Sequence, residues 1–388
     1  MEKFKIAGIV ALLVVGSLFA KAGNISTNYN QPEPGTDTVK CKEQQFTKSF
    51  NKTFNVNAKH LVVLANKYGK VDVKTGSGNQ VVVNVTITVE TSSDKSAQKV
   101  FDRINIAFSE GPDFVKAETD IESQNGINIG GIWGSNSVEF HIDYDVTMPA
   151  GNMLDVSNKY GNTHVAALTN WVKMEQKYGD FRIDAAGSMS IALAYGGGTI
   201  GQVNGLSGTV SYGKLSSKGT KDIDLKTKYS EFKFDKVSTM NLQSAYDDYE
   251  VNDINTVKID SKYGDFSFGN VNNISITSAY TDFKIKQIES YAMMKTSYGD
   301  VKIDDVKNGF NSLDFNGNYT DYTVGIAPSV SYQLDVKTSY GDVRRPSSLK
   351  TTIEKEKGSS LEIIGVVGDG NTKSTMKVRL NYGDLKLK

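Results

Sequence analysis

From Leu154 onward, apolar residues come in pairs two positions apart, and the pairs return in a longer rhythm, mostly of 17 residues. They are Val172 and Met174, Met189 and Ile191, Ile223 and Leu225, Met240 and Leu242, Val257 and Ile259, Ile274 and Ile276, Leu334 and Val336. A two-residue spacing sets both members on one face of a strand. Each pair stands six and four residues before a tyrosine. A second set stands three and five after it: Phe181 and Ile183, Phe232 and Phe234, Tyr249 and Val251, Phe266 and Phe268, Phe283 and Ile285, Val301 and Ile303. Inward parity is thus even before the tyrosine and odd after it. This predicts a one-residue phase change at the Gly-Asp step that follows, where a bulge or corner would supply it. Each repeat reads strand, corner, strand, corner.

The tyrosines are the markers of the array. Tyr178, Tyr195, Tyr212, Tyr229, Tyr246, Tyr263 and Tyr280 are each 17 residues apart, and the signature recurs at Tyr68, Tyr160, Tyr298, Tyr319, Tyr340 and Tyr382. A repeat this short cannot bury its own apolar face, so neighbours must stack. Two residues before the tyrosine stands a small hydroxyl at Thr227, Ser244, Ser261, Ser278, Thr296 and Thr338. The last steps lengthen to 21, 21 and 42 residues. Twice 21 predicts a degenerate coil with Leu361 in the tyrosine place and a final coil through Lys388. The expected fold is all-β: a β-solenoid, a single-stranded β-helix-like stack of 17–21-residue coils over residues 154–388.

Residues 54–153 read as an N-terminal β cap containing the first coil, around Tyr68. His60–Leu64 and Val81–Val89 carry strong strand patterns. Ser93-Asp94 opens a short helix with Ala97, Val100, Phe101 and Ile104 on one face. A hairpin is expected to pair Phe114–Ile121 with Val138–Met148, through a Gly- and Asn-rich connection around Trp133. A tryptophan in such a loop either folds back onto the cap or touches a partner. A cap of this kind closes an otherwise open end of an array.

Lys3 and Lys5, the apolar run Ile6–Phe19 and Ala20-Lys21-Ala22 form the order of a secretory signal peptide, residues 1–22, with cleavage after Ala22. The run is shorter than the roughly 20 residues of a spanning helix. Residues 23–53, rich in Asn, Thr, Gln and Pro, read as an exposed lead-in. The location implied is the periplasm, or the cell surface and its exterior. The lone Cys41 lies in the wrong context for lipidation and permits no intrachain disulfide. The precursor has 44 basic and 44 acidic residues, and loss of the leader leaves 41 and 43. Such balance gives no electrostatic footprint for nucleic acid.

Two residues after the tyrosine stands an acidic column: Glu231, Asp248, Asp265, Asp282, Asp300, Asp321 and Asp342. Two further on come Lys233, Lys284, Lys302, Arg344 and Lys386, with Glu250 and Ser267 as exceptions. At about 4.8 Å per coil, neighbouring carboxylates repel by about 1 kcal/mol even in water. The simpler reading is a solvated ladder whose carboxylates accept corner N–H bonds. The sharper one is a row of cation sites, calcium being the hard ion that suits oxygen ligands. A tyrosine column is a packed corner with its hydroxyls at the surface, or a platform for sugar rings. His60, His141 and His164 show no metal-ligand spacing. Gly196-x-Gly198-x-x-Gly201 occupies a repeat corner with no strand-to-helix context, so it reads as chance. No catalytic constellation and no cofactor is predicted.

The Lys/Ser-Tyr-Gly-Asp-aromatic units, with the lead-in Asp145–Gly151 before Asn158-Lys159-Tyr160-Gly161-Asn162, resemble the adhesin-like family of secreted bacterial β-strand-repeat proteins, a domain of unknown function. The resemblance covers roughly residues 55 to 388. It implies a noncatalytic exported protein with no active site to carry over. The function expected is a structural or adhesive repeat protein of the bacterial envelope that presents Tyr, Asp and Lys ladders to a polymer or protein. The alternatives are an envelope-stress or assembly factor that binds another envelope protein through its cap, and a polysaccharide-active β-helix enzyme.

Overall fold

The computed structural model describes residues 44–122, 138–370 and 372–388. The leader, most of the lead-in, Cys41 and Trp133 lie outside the described residues. Glu43–Lys388 forms one compact unit.

The strands are β1 (Gln44–Asn55), β2 (Leu61–Lys67), β3 (Val71–Gly76), β4 (Gln80–Thr91), β5 (Ile104–Glu110), β6 (Phe114–Ile121) and β7 (Glu139–Pro149), with the helix α1 (Asp94–Phe101) between β4 and β5. Then come β8 (Met153–Lys159), β9 (Thr163–Val165), β10 (Trp171–Lys177), β11 (Phe181–Ala194), β12 (Gly197–Ser211), β13 (Lys214–Lys228) and β14 (Glu231–Val306). The chain ends with β15 (Ser312–Val324), β16 (Tyr332–Ser339), β17 (Val343–Arg344), β18 (Leu349–Lys357), β19 (Ser360–Val367), β20 (Thr375–Asn381) and β21 (Leu385–Leu387).

The array is a parallel β-solenoid. Its register steps by one repeat per coil: Phe181 pairs with Gly198, Gly197 with Lys214, Lys214 with Glu231. The apolar pairs on both sides of the tyrosine point inward and are buried, and Phe232, Tyr249, Phe266 and Phe283 stack inside at 4.3–5.3 Å between ring centroids. A third inward column, eight residues after each tyrosine, was not anticipated. It runs Ala186, Val203, Thr220, Val237, Ile254, Val271 and Ile288, all buried.

The phase change sits one residue earlier than expected. The tyrosine itself takes the left-handed conformation, at φ from 52° to 62° in thirteen described coils from Tyr68 to Tyr382. The glycine after it is required for another reason. At Gly341 an added Cβ would overlap the carbonyl oxygen of Gly383, and at Gly196 that of Gly179, so the backbones of neighbouring coils touch at the corner.

Both ends depart from simple succession. β1 begins at Gln44, inside the stretch read as lead-in, and lies antiparallel to β4, which lies antiparallel to β7. Instead of forming a hairpin with each other, β6 and β7 pair parallel with β2 and β3 and form the coil below Tyr68. β2 and β3 pair on their other side with β8 and β9. Ser93 caps α1 by accepting the Ser96 N–H, as its sequence predicts.

At the C-terminus the last coil is not last in space. β20 and β21 insert between β15 and the pair β16–β17. Leu361 is not a degenerate coil corner: β19 runs antiparallel to β16, with Leu361 opposite Thr338, and β18 pairs antiparallel outside it. This hairpin closes the stack. Its outer strand carries Lys350, Glu354, Lys355, Glu356 and Lys357, the charged edge that discourages further strand addition.

Candidate functional site

A tyrosine in a left-handed turn cannot point its ring inward with the flanking strands, so every ring stands out at the same corner. The register then sets each ring over the next. From Tyr68 through Tyr160, Tyr178, Tyr195, Tyr212, Tyr229, Tyr246, Tyr263, Tyr280, Tyr298, Tyr319 and Tyr382 to Tyr340, successive centroids are 4.7–5.0 Å apart and the rings are within 20° of parallel. Phe140 packs tilted against Tyr68, 5.6 Å away, and ends the column. Ring faces are covered by neighbours, which disfavours sugar stacking on them; edges and hydroxyls remain, and twelve of the rings are 39–61% exposed.

Behind the rings the corner is closed by buried polar groups. Asn66, Asn158 and Gln176 each donate from the carboxamide to the corner carbonyl of an adjacent coil, at Ile142, Gly69 and Gly161. Around Tyr246 the glycine place is taken by Asp247, whose buried carboxylate accepts the hydroxyls of Thr227 and Ser244 and the N–H groups of Ser230 and Ala245, at 2.7–3.0 Å. Burial pushes the Asp247 carboxyl above the usual range against these four bonds. This variation of the repeat was visible as Tyr-Asp-Asp, yet its inward-facing role was not.

The acidic column beside the rings lies in the expected order, with one addition: Asp384 sits between Asp321 and Asp342 because its coil inserts there. Several carboxylates are engaged with backbone. Asp282 accepts the Asp300 N–H at 2.7 Å, Asp321 that of Asp384 at 2.8 Å, and Asp384 that of Asp342 at 2.9 Å. Asp180 accepts the Gly197 N–H in the same way. The side chain of one coil thus caps the backbone of the next. Among the described residues no three acidic, histidine or cysteine side chains converge as a metal site would require. Lys386 supplies counter-charge to the acidic column, 3.9 and 3.8 Å from Asp321 and Asp384, while Lys233 pairs within its own column with Glu250 at 3.0 Å.

A groove of about 660 Å³ runs beside this face across the middle coils, lined by Gly197, Lys214, Glu231, Lys233, Asp248 and Glu250 among others. The histidines stay apart. His164 stands between Asp72 and Asp184 at 2.9 and 3.5 Å, His141 lies 4.0 Å from Asp143, and His60 accepts the Asn57 N–H. The Gly196-x-Gly198-x-x-Gly201 stretch runs through a solenoid corner into β12, with no helix after it.

Residues 202–388 match the family model described as Toastrack DUF4097. This part of the chain is similar to the Toastrack domain. The Toastrack domain is a β-solenoid-like repeat domain of unknown function. The same ladder continues upstream of the matched Toastrack residues through Tyr195, Tyr178, Tyr160 and Tyr68. No curated protein matches the chain. Solved structures similar to it include a candidate cell adhesion protein from Clostridium sporogenes, 10% identical with TM-score 0.18, which covers 88% of this chain and 99% of its own. A candidate lipid binding protein from Parabacteroides distasonis is 11% identical, with TM-score 0.25 and coverage of 88% and 96%. A candidate adhesin from Parabacteroides merdae is 12% identical, with TM-score 0.21 and the same coverage. Among the described residues no helix is long and apolar enough to cross a membrane.

Proposed function

We propose that this protein is a noncatalytic, exported adhesive component of a bacterial envelope. Its Tyr, Asp and Lys ladders are the surface it offers to a polymer or protein partner. One observation carries the reading: an unbroken column of half-exposed tyrosines, held in a strained backbone conformation at every coil. Strain of this kind is kept only where the surroundings over-determine it, and it concentrates where function needs a fixed display. The basic-apolar-small order of residues 1–22 supports export.

Beads coated with the protein, presented to cells and to immobilised acidic and neutral glycans, test the proposal. Replacement of Tyr178, Tyr246 and Tyr298 by Asn, a residue that tolerates the left-handed turn, should reduce retention severalfold. Retention unchanged in the folded variant would remove the ladder from the function. Shortening of the glycans on incubation would favour the polysaccharide-active reading instead.

A further inference from the structure

We propose that the tyrosine ladder docks on the ladder of a second copy of this chain, the two running antiparallel. This rests on the adhesive reading above and names the partner of that face.

The first argument is area. An aromatic side chain offers roughly 150–250 Å². Twelve tyrosines at 39–61% exposure therefore leave on the order of 1,000 Å² of ring edge and hydroxyl in one strip. The largest apolar patch of a typical monomer is about 300–600 Å². A standard stable interface takes about 800 Å² from each partner. The strip is thus large enough for a specific dimer, and tyrosine is among the residues enriched in the cores of such interfaces.

The second argument is charge polarity along the strip. At its N-terminal end the flanking residues are Lys67, Lys159 and Lys177, none of which is in an ion pair within the described structure. At its C-terminal end they are Asp300, Asp321, Asp384 and Asp342, of which Asp321 and Asp384 share Lys386, with Ser297, Asn318, Asn381 and Ser339 where the lysines would be. Repulsion from Asp282 and Asp321 adds to desolvation in raising the carboxyl of Asp300. A parallel partner would bring the acidic ends together. An antiparallel one sets the lysine end of each copy against the acidic end of the other. Because that arrangement is two-fold, both copies use the same surface and the contact closes at a dimer.

Sedimentation of the protein purified after export gives the test. A dimer is expected below about 100 µM. Tyr178→Asn with Tyr246→Asn and Tyr298→Asn should weaken it at least tenfold. Should that variant fail to fold, Lys159→Glu with Lys177→Glu changes only exposed side chains, and it should also weaken the dimer at least tenfold. Adding Asp300→Lys and Asp342→Lys should restore it. A spin label at Lys377→Cys, with Cys41→Ser, should read about 50 Å between copies at ~4.8 Å per coil. A monomer throughout this range, a dimer indifferent to both sets of substitutions, or labels within about 25 Å would overturn the proposal. A monomer whose adhesion still depends on the tyrosines would overturn only the choice of partner and leave the adhesive reading standing.

Discussion

Each corner tyrosine holds two opposing terms. A left-handed backbone costs a residue with a Cβ roughly 1–2 kcal/mol, and each offset or parallel aromatic contact contributes about 0.5–1.5 kcal/mol. Tyr263, at φ 59° and stacked on Tyr246 at 4.7 Å and Tyr280 at 4.9 Å, allows the two to be separated. Tyr263→Ala loses both stacks and keeps the strain. Tyr263→Gly loses the stacks and relieves it. Glycine should therefore be the more stable variant by about 1 kcal/mol, the reverse of the order in ordinary strands. Denaturant unfolding of the two checks this, and an alanine variant at least as stable as the glycine one would show that the corner is unstrained. The aromatic period was legible in the sequence because stacking demands the same residue at the same place in every coil. The residue that bears the turn was not legible: a glycine next door is the usual host of positive φ, and here glycine is needed instead for close backbone approach to the adjacent coil.

At the level of elements, the order of coils in space differs from their order in the chain at both ends. β20 and β21 contribute Met376, Val378, Leu380, Leu385 and Leu387, all buried, to a layer with β15 on one side and β16 on the other. Removal of Thr375–Lys388 therefore takes out an inner layer. Hydrogen exchange should show protection lost through β16, β17, β18 and β19 while β10–β14 keep theirs. A loss confined to the very end would mean that the coils stack in chain order after all. Sequence arithmetic could not reveal this, since a 42-residue step fits two successive coils as well as one inserted coil plus a hairpin. The strands β6 and β7 hid in the same way. Their patterns were read correctly as strands, but alternation does not say whether a neighbour is reached through a hairpin or across a coil. The acidic column was legible in composition and order, except for Asp384, whose place depends on that insertion.

Over the whole molecule, the acidic ladder makes stability depend on pH. The Asp300 carboxyl is raised above its ordinary value by desolvation and by the charges of Asp282 and Asp321, with Lys386 opposing. A group whose folded pKa is raised gives its full contribution below its unfolded value, near 3.8, and loses it as pH climbs through the folded value. Asp247, raised by burial, acts in the same sense. Asp72 acts in the opposite one: burial pushes it up, but the bonds from His164 and Lys74 bring it below the usual range, so its contribution is lost as pH falls. Asp300→Asn isolates one rung, because among the described residues no hydrogen bond uses its carboxylate while its N–H still reaches Asp282. The variant should melt about 1–2 °C higher than the parent at pH 7, with the difference shrinking toward zero at about pH 3, below the unfolded value of 3.8. Calorimetry at the two pH values decides it. A lower melting temperature at pH 7 would mean that the ladder is held by its charges, as bound counter-cations would require, whereas the expected rise means that each added coil extends the stack against the repulsion of the one before.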